Sequence, residues 1–182
     1  MYTAAIAGLL FMAFAFFAVA QASTVRNGGQ TAADSAALAA AQDDRDQLFD
    51  GFLGAVGDGD SWQDWLDGIG GFSADGCGRA EELAGKNRSD VLSCDPVTRD
   101  GHDGYTVEVR TRFDTGDTVV PGADHKKATA TATAVVKPRC DFGDGAKAIE
   151  ITCDGEDFTI DPDGKGDLGI GPSDLFSVVL VD

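Results

Sequence analysis

The stretch Asp161-Pro162-Asp163-Gly164-Lys165-Gly166-Asp167 sets carboxylates at alternate positions around glycine turns, a spacing that can converge several oxygens on Ca²⁺. Asp161, Asp163 and Asp167 are the expected ligands. The stretch departs from an EF-hand loop, with Lys165 where a ligand belongs and no closing Glu, so a solvated turn competes with the calcium reading. Gly164-Lys165-Gly166-Asp167-Leu168-Gly169 fits G-x-G-x-x-G, but it lies among carboxylates and Pro172 follows instead of a helix. No phosphate cradle is expected there. His102 and His125 are the only histidines, both in polar loops, which leaves almost no material for a histidine base or a metal cluster. We expect no enzyme. Asn87-Arg88-Ser89 fits a glycosylation sequon, a pattern short enough to arise by chance.

Cys77, Cys94, Cys140 and Cys153 show no C-x-x-C spacing of the zinc or redox kind. Two disulfides in an extracytoplasmic compartment are the natural reading, against four reduced core thiols. Of the three connectivities, neighbour pairing, Cys77 with Cys94 and Cys140 with Cys153, is expected. Each bridge closes a short loop and contributes roughly 3 kcal/mol in the chain-entropy account.

The elements that must carry these groups begin with a segment of opposite character. Residues Tyr2 to Val25 carry no charge and, as a helix, would span about 36 Å, enough for a bilayer core. Ala20-Gln21-Ala22 would suit a signal peptidase, but no basic stretch precedes the apolar run. The Ala-rich pattern then continues through Gln42, and Ala33, Ala37, Ala41, Leu48, Phe52 and Val56 fall near one helical stripe. One helix is therefore expected to run to about residue 55, greasy in residues 1–25 and amphipathic in 26–56. Asn27-Gly28-Gly29 interrupts it, each glycine costing about 1 kcal/mol relative to Ala, and reads as a hinge.

Residues 57–76 read as a Gly- and Asp-rich linker carrying one short helical turn. Ser61 and Asp64 resemble a capping box there, and Trp62, Trp65, Leu66 and Ile69 form an apolar face expected to pack on the head. Residues 77–182 then form that head, opening with a short helix from Gly78 to Asn87. Period-two alternation marks strands in GYTVEVRTRF, in KKATATATAVV with an Ala face and a Thr face, in AIEITC and in the closing LFSVVLV. An α+β head with a mainly antiparallel sheet follows, and the Ala face would let a helix lie close. With 31 acidic residues against 14 basic ones, a net charge of −17, the surface repels phosphate backbones, so nucleic acid is excluded as a partner.

A membrane-spanning stretch running into R-N-G-G-Q-T-A-A-D-S-A-A-L-A-A-A-Q resembles the TadE/TadG-like proteins of actinobacterial Tad (Flp, type IVc) pilus systems. Similarity extends through C-G-R-A-E-E-L-A-G-K-N-R-S-D-V-L-S-C and the strand after Gly104, which look like the cysteine-linked helix and strand of TadE-like pseudopilins. The resemblance implies a pilin-like fold, with a long N-terminal helix packed on a disulfide-bonded head. It also implies a leader removed by a prepilin peptidase, insertion with the head outside the cytoplasmic membrane, and extrusion into a surface filament. This chain is then expected to begin at its mature terminus. Many pilins carry Glu at the fifth mature position, whereas here the fifth residue is Ala5 and no acid precedes Asp34.

Physical reasoning reaches the same destination separately. A helix apolar on all sides can exchange lipid for other copies of itself, and Ala4, Ala5, Ala7, Gly8, Ala13, Ala15 and Ala18 permit close approach. Tyr2, Ile6, Leu9, Leu10, Phe11, Phe14, Phe16 and Phe17 are the expected assembly residues. The partners expected are other copies or related pilins, the assembly machinery and, before assembly, the cytoplasmic membrane. The competing expectation is a membrane-anchored or secreted binding module that forms no filament.

Overall fold

The computed structural model describes residues 2–56, 61–68, 75–117, 124–143, 149–160 and 169–182. Helix α1 runs from Tyr2 to Ala55. The short helices are α2 (Ser61–Leu66), α3 (Cys77–Lys86) and α4 (Pro172–Leu175). Strands β1 (Ser89–Arg99), β2 (His102–Thr111), β3 (Thr129–Pro138) and β7 (Phe176–Val181) form one sheet in that order. Strands β4 (Cys140–Phe142), β5 (Ile149–Cys153) and β6 (Glu156–Ile160) form a second. Every strand pair among the described residues is antiparallel.

Alanine sets the distance between α1 and the larger sheet. Ala32, Ala33, Ala36, Ala37, Ala40 and Ala41 of α1 are buried, as are Ala132 and Ala134 of β3, and all belong to one core cluster. Methyl against methyl brings a helix backbone close to a strand, and the alternation of the Ala-Thr segment makes such a surface on one face only. Tyr105 lies opposite Ala134, Val107 opposite Ala132 and Val109 opposite Ala130, so these residues continue the apolar face onto β2. The Thr face points the other way, where Thr106 and Thr133 hydroxyls hydrogen-bond at 2.9 Å.

Farther along α1, large side chains replace alanine. Phe52 packs edge-on against Trp62 with ring centroids 6.4 Å apart, and Trp62 against Phe142 at 5.4 Å. Trp62 and Leu66 are buried in the head as the apolar face of the linker helix implied; Ile69 lies outside the described residues. Ile149, Ile151 and Ile160 of the second sheet close this end of the core.

Both bridges join the expected neighbours. Cys77 is bonded to Cys94, tying α3 to β1, and Cys140 to Cys153, directly opposite each other on β4 and β5.

The glycines of the expected joint have a packing role in the single chain. Helix α1 is not interrupted at Asn27-Gly28-Gly29 but is helical throughout. The glycines are sites of close approach: a Cβ on Gly28 would lie 2.7 Å from Phe113 Cζ, and one on Gly29 would lie 3.0 Å from Ala128 Cβ. Packing of the head against these two residues offsets the poor helix propensity of glycine.

Candidate functional site: the exposed half of the long helix

Helix α1 changes environment abruptly near Val25. Val25 is its first buried residue, and the apolar residues before it are solvent-facing. Tyr2 is 88% exposed, Phe11 74% and Phe16 75%, with Ile6, Leu9, Leu10, Phe14 and Phe17 also exposed. A monomeric soluble protein rarely presents so large a continuous apolar surface, and surfaces of this kind are the ones that meet lipid or protein. The helix is long and apolar enough to cross a membrane. All eight expected assembly residues therefore lie together on one projecting rod, available on every side.

The head holds that rod through its second half. Asp44, on α1 and buried, accepts a hydrogen bond of 2.7 Å from the Tyr105 hydroxyl of β2. The same Tyr105 oxygen accepts the Gly76 backbone N–H at 2.9 Å. Burial, together with the Asp44 carboxylate beside it, raises the Tyr105 pKa above that of an ordinary phenol, which keeps the hydroxyl a donor. Gly76 fits because a Cβ there would sit 2.4 Å from the Ala40 carbonyl oxygen. One hydroxyl thus ties α1, β2 and the entry to α3. Tyr105→Phe removes a donor from a buried carboxylate and an acceptor from a backbone N–H. It is expected to cost about 1–3 kcal/mol or more, read as a lower midpoint in urea with an unchanged slope.

Alignment of sequence signal and site is uneven. The exposed apolar residues were legible from composition alone. The Asp44–Tyr105 link was not, because Asp44 sits in an acidic run that reads as a solvated face and its partner is 61 positions away. Asp161, Asp163 and Asp167 lie outside the described residues, and among the described residues no group of His, Cys, Asp and Glu is gathered as a metal site.

Residues 1–43 match the Tad family of Flp pilus-assembly TadE/G-like proteins. Over that segment the chain is similar to TadE/G-like proteins. The match covers the projecting rod and the first turns that enter the head, the region where environment changes most sharply. No curated protein and no solved structure matches the chain. The likeness to pilus-assembly proteins and the helix apolar enough to cross a membrane thus fall on the same segment.

Proposed function

We propose that the chain is a structural, pilin-like subunit of a Tad-type surface filament. It would be held in the cytoplasmic membrane by residues 2–25 with the head outside, then packed through the same residues against other copies. The observation that carries this is the bare apolar half of α1, continuous with a half locked into a disulfide-braced head. A binding module needs only an anchor. Here α1 also runs unbroken from the rod into the head, so packing of helices would set where heads lie along a filament. The assembly machinery and a prepilin peptidase are the partners this reading requires. Antibody to the head, applied to sheared surface material in negative stain, should decorate filaments along their length or at their tips. Decoration of membrane fragments alone would favour the anchored binding module.

The joint at Asn27-Gly28-Gly29 is the place where the head can tilt when subunits pack, because it marks the boundary between exposed and buried halves. Its helical form in the single chain makes bending an assembly event. Gly28→Ala combined with Phe113→Leu, which removes the ring that a new methyl would strike, should leave head folding and membrane insertion intact and impair filament assembly or flexibility. Filaments of normal number, symmetry and stiffness from this double variant would show that the glycines serve packing alone.

A further inference from the structure

The rim of the head from which the rod emerges gathers basic side chains in an otherwise acidic chain. Phe113 packs on Gly28, the Arg88 guanidinium lies 5.1 Å from the Phe113 ring centre, and the Arg112 N–H donates to the Arg88 carbonyl at 2.8 Å. Arg110 is paired with Thr129 and with Asp90 across the strands. The Thr115 N–H donates to the Lys126 carbonyl at 3.1 Å, and Lys127 acts electrostatically on both Asp90 and Asp114. With Arg26 on α1, this ring holds six of the chain's 14 basic residues, all exposed.

Among the described residues, the acids interleaved with them include Asp90, Asp114, Asp117 and Asp124. Asp90 is bound by Arg112 at 2.7 Å. Asp114 accepts the Gly116 N–H and, like Asp117, faces His125. In a chain of net charge −17, the basic residues named here outnumber these acids six to four.

Its position says what it meets. Gly28, where Phe113 packs, is three residues past Val25, about 5 Å along the helix axis. The headgroup layer on each side of a bilayer core is roughly 5–7 Å thick. The loop at Gly116 also lies beside the Gln21 side chain, so the helix can insert only to about Ala20, which leaves Arg26 roughly 9 Å above the core. The long side chains of Arg26, Arg88, Arg110, Arg112, Lys126 and Lys127 then reach the depth of lipid phosphates. We propose that this rim is a docking surface for anionic lipid headgroups, seating the head upright on the membrane before assembly. Acidic side chains elsewhere on the head are repelled by the same surface and hold its far end away. The inference rests on the membrane-anchored stage of the function proposed above.

The test uses the full chain reconstituted in vesicles of phosphatidylcholine alone or mixed with phosphatidylglycerol. The four native cysteines are bridged, so a dye attached at Thr129→Cys labels a single site on the rim. Energy transfer to a headgroup acceptor should be higher in the anionic vesicles. That gain should vanish near 1 M salt, where the Debye length falls to about 3 Å. It should also vanish in Arg110→Gln/Lys126→Gln/Lys127→Gln, whose folding is checked by its melting curve. The lipid and salt arms stand without that variant. A chain that does not float with vesicles overturns the anchoring and this inference with it. A chain that floats but shows equal transfer in both lipids overturns this inference alone. Transfer that follows protein density instead of lipid charge also overturns it, assigning the rim to a second copy.

Discussion

Phe52→Ala should lower the unfolding free energy of the head by about 3–5 kcal/mol, the usual cost of emptying a fully buried aromatic site. Phe52 is wholly inaccessible and joins α1 to Trp62, which in turn meets Phe142 of the second sheet. Removing the ring leaves a cavity that the surrounding elements cannot easily fill. Cys77–Cys94 and Cys140–Cys153 still constrain their own loops, but neither disulfide bridges α1 to the head. The far end of α1 should consequently loosen first. Hydrogen exchange should show faster amides in the last turns of α1 and in α2, with those facing Ala36 and Ala40 less affected. Uniform exchange throughout the head would mean that the aromatic end has no separate role.

Leu10→Asp should have the larger effect on function and almost none on the head. An aspartate at the centre of a spanning helix costs about 3 kcal/mol on insertion scales, and an unpaired carboxylate in a packed helical core is no better tolerated. Leu10 is exposed and lies far from the first head contact on α1. The variant head should therefore keep its melting temperature while membrane retention falls and filaments disappear. Normal filament yield from Leu10→Asp would remove the apolar rod from the assembly interface.

The long helix and the alternating strands could be read because each rests on a simple period. Alanine repeats along α1 and the Ala-Thr alternation of β3 fit one another once both are placed, and the tyrosine and valines of β2 continue the same face. Strand β1 was not legible. Asp90, Asp95 and Pro96 break its apolar alternation, and a bulge between Val91 and Ser93 shifts its register. Such a segment survives as a strand because it lies at the edge of the sheet, where proline and charge are tolerated.

The second sheet was hidden for a different reason. Strand β4 has three residues and β6 has five, two of them acidic, so neither carries a period long enough to detect. Their order comes from pairing with β5 and from the Cys140–Cys153 bridge. The packing at Gly28 and Gly29 was not legible because propensity describes a helix in isolation, whereas Phe113, Thr111 and Ala128 occupy the space that side chains would need. The basic rim escaped notice as well. Its members are scattered from Arg26 to Lys127, and only the convergence of α1, α3, β1 and β2 at one end gathers them.

The most direct measurement places a photoreactive benzoylphenylalanine at Phe14, on the exposed rod, and compares its adducts in membranes and in sheared surface material. Before assembly the adducts should be to lipid, and in filaments they should shift to residues 2–25 of another copy or of a related pilin. Surface filaments that contain the chain but yield no helix-to-helix adduct at this position would contradict the account.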